Sequence, residues 1–66
     1  MASLASRLKK ESLERELAAR QKDYQDVDRK YRRETHPAEK NSLKDELDEL
    51  FEAIERIEQE LNKLSK

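Results

Sequence analysis

The side chains able to do chemistry in this 66-residue chain are few, and their spacing is informative. The one histidine, His36, precedes the one proline, Pro37, and among possible metal donors only Glu39 lies at a useful distance from it. A metal centre needs several convergent donors, so His36 reads as an exposed turn residue. Asp45, Glu46, Asp48, Glu49, Glu52 and Glu55 crowd one stretch. A carboxylate metal site in a helical bundle would draw on Glu-x-x-His pairs, and a calcium loop on a glycine at its sharp turn. Neither is present, which leaves a solvated acidic face. The run Arg29-Lys30-Tyr31-Arg32-Arg33 has the types that meet phosphate or an acidic partner, with an interleaved aromatic. It is too short for the broad basic face of a nucleic-acid binder, and cations are favoured at a helix C-terminus in any case. No Ser or Thr has a His–Asp arrangement beside it, and without glycine there is no phosphate-cradling loop. The sequence therefore predicts no catalytic, cofactor or metal site, and no enzyme.

Composition narrows the class further. Charged residues make up 47% of the chain and hydrophobic ones 33%, a mixture that suits either disorder or a long solvated helix; periodicity decides between them. The net charge of −1 gives no overall basic field for nucleic acid. There is no cysteine to staple a small fold. No apolar run approaches the roughly 20 residues of a membrane span, and residues 1–8 lack a signal-peptide core. The expectation is a cytoplasmic module with no membrane partner.

The elements that position these side chains follow from the apolar spacing. Leu43, Leu47, Leu50, Ile54, Ile57, Leu61 and Leu64 recur in alternating steps of four and three, one face of a helix packed along a seam. Phe51 lies beside that stripe and widens it. Leu13, Leu17, Tyr24, Val27 and Tyr31 form a second stripe, interrupted by Arg20. Leu4 and Leu8 fall about 100° or more away from it, so the first ten residues either fray or pack elsewhere. Between the stripes stand Thr35, His36 and Pro37. Proline suits the first turn of a helix, and the residue before it is pushed out of the α region. The spacing predicts helices over 5–34 and 37–65, with a turn at 35–36 where His36 and Thr35 share the cap, in a single module spanning 1–66. With so short a link the fold class is all-α, a two-helix antiparallel coiled-coil hairpin. The two stripes, read independently, fit one register: Tyr24 faces Leu47, Leu17 faces Ile54, Val27 faces Leu43 and Leu13 faces Ile57, each pair summing to about 70, as an antiparallel hairpin demands.

Charge bears on what this hairpin meets. Residues 1–34 hold ten Lys/Arg against seven Asp/Glu, a balance of +3; residues 37–66 hold five against nine, a balance of −4. Opposite signs favour the two helices pairing with each other over pairing with copies of themselves. One seam between two helices leaves most of the surface wet, so a second layer is expected: another hairpin, giving a four-helix bundle and a homo-oligomer, or a fused effector domain. Phe51, Leu47, Ile54, Tyr24 and Tyr31 are the expected contact residues for that protein helix, since aromatic anchors commonly carry interface energy.

The turn and the second helix also carry a resemblance. Thr35-His36-Pro37-Ala38-Glu39-Lys40, followed by Leu43-Lys44, Leu47, Leu50 and Ile54-Glu55-Arg56-Ile57-Glu58, resembles the effector-associated or adaptor modules of bacterial signalling and defence proteins, over roughly residues 7–64. In that family a short helical hairpin is appended to NTPase, TIR-like, caspase-like or repeat domains. The resemblance implies docking, between like or unlike modules, that brings effectors together. In size and shape the hairpin is also similar to a small plasmid-copy-control protein that dimerises and binds RNA loops, which implies an alternative as a nucleic-acid-binding regulator.

Overall fold

The computed structural model describes residues 3–64. It contains two helices, α1 (Leu4–Arg33) and α2 (Pro37–Leu64), packed side by side and joined by residues 34–36. There are no strands among the described residues. The fold is an all-α hairpin.

Helix ends explain where the elements begin and stop. Ser3 has extended backbone (φ −71°, ψ 163°), and its Oγ accepts from the Ser6 N–H at 3.2 Å, satisfying one of the free donors of the first turn. The spacing starts α1 at residue 5; this cap starts it at Leu4, and residues 4–10 are helical, while residues 1 and 2 lie outside the described residues. At the other end the Glu34 N–H donates to the Lys30 carbonyl at 2.9 Å, and Glu34 then turns extended (φ −75°, ψ 132°). Lys30, Arg32 and Arg33 occupy the last turn, where the helix dipole favours cations. The link is thus three residues, 34–36, and Glu34 belongs to it. α2 begins at Pro37, whose missing N–H is not needed there. The His36 carbonyl accepts the first helical bond from the Lys40 N–H at 2.9 Å. The spacing carries α2 to residue 65, which lies outside the described residues, as do 1, 2 and 66 of the module. No described residue has positive φ, so this reversal requires no glycine.

The hairpin measures 52 × 14 × 12 Å, with a radius of gyration of 15.3 Å. A compact chain of this length would have about 11 Å. The difference means a single seam in place of a globular core. Three side chains are buried along it: Leu13, Leu47 and Ile57. Leu17, Tyr24, Val27 and Tyr31 from α1, and Leu43, Leu50, Ile54, Leu61 and Leu64 from α2, are half-buried around them. Arg20 is exposed, its charge kept in water where the α1 stripe is interrupted. The opposite charge balance of the helices is not realised as pairing across the seam. Among the described residues the Lys/Arg–carboxylate pairs are Lys10–Glu14 at 4.0 Å and Arg32–Asp28 at 3.2 Å, both one turn apart on α1. The apolar seam occupies the contact, and the charged side chains stay on the outer faces.

The graded burial sets an order of stability. Leu47→Ala and Ile57→Ala remove buried methyls and should cost on the order of 2–5 kcal/mol. Ile54→Ala, at a half-exposed site, should cost less. Glu49→Ala should change stability by no more than about 0.5 kcal/mol. Denaturant melts followed by circular dichroism measure all four, and a Glu49→Ala loss as large as that of Leu47→Ala would contradict the seam.

Candidate interaction surfaces

α2 carries a wider apolar stripe than α1 can cover, and Phe51 is the excess. It stands 51% exposed. Leu47 lies one turn before it and Ile54 one turn after. Leu47 is only 8% exposed, within the α2 stripe, and presents little surface of its own. Ile54, Tyr24 and Tyr31 are half-buried. Of the five expected contact residues, then, one is open to a partner, three offer an edge, and Leu47 is spent within the hairpin. Asp48 and Glu55, both exposed, sit about one turn from Phe51 on its outer side and give it an acidic rim. Tyr31 already has company: the Lys40 Nζ lies 5.0 Å from the centre of its ring, a cation–π contact reaching across the link. On the other flank, Arg20, Asp23 and Val27 of α1 and Glu49, Leu50 and Ala53 of α2 line a shallow trough opened by the small side chain of Ala53.

Leu4 and Leu8 form a second apolar patch, 71% and 58% exposed. They lie one turn apart on the side of α1 away from Leu13. The helical spacing separates them from the α1 stripe, and the structure leaves them in water.

The link has its own chemistry, and Glu34 organises it. One oxygen of its carboxylate accepts from the Thr35 N–H at 3.1 Å and the His36 N–H at 3.0 Å, and it meets the His36 Nδ1 at 3.1 Å. These two N–H groups lie beyond the end of α1 and would otherwise have only water. The side chain of His36 therefore turns back to Glu34, and does not cap α2. Glu39 completes the group: donor atoms of Glu34, His36 and Glu39 lie within 4.8 Å of one another. The sequence pairs His36 only with Glu39; the fold adds Glu34 as the nearer partner. A carboxylate just before two free N–H groups, in Glu34-Thr35-His36, is the signal that identifies it. These three side chains are the donors a cation would meet. Lys30 and Arg33 line the same hollow, and their charge opposes one.

The electrostatics follow the hydrogen bonds. The Glu34 carboxyl is held below its ordinary range, first by the His36 N–H, then by the His36 ring and by the neighbouring Glu39 carboxyl, which can share a proton with it. The Glu39 carboxyl is raised, by the same proton-sharing with Glu34 and by the negative charge of Glu34. At neutral pH Glu34 is the anion that receives the link's donors.

The sequence profile of effector-associated domain 9 matches residues 3–64, nearly the whole chain. The chain belongs to that family. The match agrees with the resemblance carried by the turn and by α2. No curated protein and no solved structure matches. An effector-associated domain is a module of larger proteins, and the family fits a regulatory, non-enzymatic part.

The link gives the domain a testable acid response. Because the folded Glu34 binds its proton less readily than the unfolded chain does, its contribution is present above the ordinary carboxylate range and is lost as pH falls through the lowered folded value. Glu39 acts in the opposite sense: its raised value contributes at low pH and is lost as pH rises through it. Glu34→Gln should therefore destabilise at pH 7 and flatten the acid limb of the melting profile. Glu39→Gln, which removes the repulsion and gives Glu34 an amide donor, should be neutral or stabilising at pH 7. Thermal melts between pH 3 and 7 check both; equal losses at pH 7 would contradict the roles given to the two carboxylates.

Proposed function

We propose that this effector-associated domain is a non-catalytic docking module, working in the cytoplasm as part of a larger bacterial signalling or defence protein. It brings effector proteins together by helix–helix packing. The observation that carries this reading is Phe51, an aromatic ring half in water one helical turn from the buried Leu47. Such a ring, with an apolar edge from Ile54 and a charged rim, has the anatomy of an interface anchor. Its occupant is an amphipathic protein helix laid along the α2 flank. The basic run favours a protein over a nucleic acid as that occupant. Arg32 is paired with Asp28, and Lys30 and Arg33 share their hollow with Glu34 and Glu39, so the run presents no continuous face of free cations.

Phe51→Glu leaves the seam intact and places a charge at the centre of the docking face. It should retain the helical circular-dichroism signal and weaken association, with itself or with a partner helix, by tenfold or more. Sedimentation or light scattering across a concentration series measures this. Unchanged association in the variant contradicts the reading.

A further inference from the structure

Among the described residues the large apolar side chains left mostly in water are Leu4, Leu8 and Phe51. They make two patches, not one. Leu4 and Leu8 sit at the start of α1, on the side away from the seam. Phe51 lies on the flank of α2, at the level of Arg20 in the hairpin register, about 18 Å along the axis from Leu8 at about 1.5 Å per residue.

The patches also differ in charge. Residues 3–10 contain Arg7, Lys9 and Lys10 and no carboxylate. The first turn of α1 has no acidic residue, although the positive end of a helix favours one and disfavours cations. The beginning of α1 thus carries cations at its own positive end; Lys10 is paired with Glu14 and Glu11 stands one turn from Leu8, so the positive charge beside the two leucines is that of Arg7 and of the helix start. The Phe51 flank is the complement: an apolar centre with Asp48 and Glu55 at its rim, on a helix whose stretch of chain carries a balance of −4.

We propose that the Leu4–Leu8 end of one copy docks on the Phe51 flank of a second copy, a heterologous contact between two different surfaces of the same chain. This rests on the docking role of Phe51 and names its occupant. The contact puts leucine on phenylalanine and Arg7 near Asp48 or Glu55, and it brings an anionic surface to the cationic helix start. The symmetric alternative sets Phe51 on Phe51. It would bring the acidic rims of both copies together, and like charges across an interface are disfavoured. Because the two surfaces are distinct, a copy that inserts its Leu4–Leu8 end still offers a free Phe51 flank. The contact therefore propagates and does not stop at a pair, and it concentrates whatever the domains are attached to.

The test is complementation between two damaged surfaces. Leu4→Glu/Leu8→Glu and Phe51→Glu are each examined alone and mixed in equal amounts, with light scattering for mass and circular dichroism for helicity. All three positions lie outside the buried seam, and Glu near the start of α1 suits the helix dipole, so both variants should keep their helicity. Wild type should grow past a dimer with concentration, and should dissociate with salt. Each variant alone should be a monomer. The mixture should form a closed dimer, because one intact Leu4–Leu8 end meets one intact Phe51 flank. As a second line, Asp48→Lys/Glu55→Lys, which reverses the rim and keeps every apolar residue, should weaken wild-type association by tenfold or more. If Leu4→Glu/Leu8→Glu assembles as wild type does while Phe51→Glu does not, docking through Phe51 stands and the head-to-flank contact is overturned. A mixture that stays monomeric, a wild type that stops at a dimer, and a wild type that is monomeric throughout each overturn the contact as well.

Discussion

Everything in this domain depends on one apolar seam between two helices. Leu13, Leu47 and Ile57 are the side chains it buries, and the remaining apolar residues are shared with water. A longer chain could wrap a second layer over such a seam. Among the described residues the hairpin is a 52 Å rod two helices thick, so each helix keeps an open back. The link obeys the same economy. Its three residues turn the chain without glycine, using one carboxylate to gather the N–H groups that the end of α1 leaves free.

What the seam omits is what the domain has left for function. A helix can bury only one stripe against a single neighbour. Phe51 lies just beyond the width α1 can cover, and Leu4 and Leu8 lie on the far side of α1 altogether. Their exposure is not a packing failure to be repaired by small shifts, because the helical repeat fixes where they point. The charges are arranged in the same way. With apolar residues filling the contact, opposite charge on the two helices is displayed outward, where it adds little to the stability of the hairpin.

The fold was legible in the sequence because two stripes with helical periodicity, read separately, gave one antiparallel register around one proline. Helix ends were legible only to about a residue. Pro37 marks the start of α2 unambiguously by its chemistry, whereas Ser3 is one of several small polar residues near the start of α1, and only its observed bond to Ser6 singles it out. The link was less legible. Glu34 continues the charged pattern of α1 and looks like its last residue; its role appears once the backbone turns extended and brings Thr35, His36 and Glu39 to its carboxylate. The exposure of Phe51 was legible, because periodicity places it outside the stripe. Leu47 was expected both in the seam, facing Tyr24, and at the contact surface, and its burial assigns it to the seam. A stripe residue next to the overhang can face the seam or the partner, and that depends on how the helices are rotated against each other.

A hairpin with so slight a core should gain stability from whatever covers its apolar patches. Docking and folding are then linked, because a surface that binds only in the folded state shifts the unfolding equilibrium by mass action. The melting midpoint of the wild-type domain over a hundredfold range of protein concentration tests that link most directly. The account predicts a midpoint that rises with concentration and a rise that diminishes with added salt. A midpoint independent of concentration would contradict it, leaving a self-sufficient monomer whose exposed leucines and phenylalanine have no part in self-assembly.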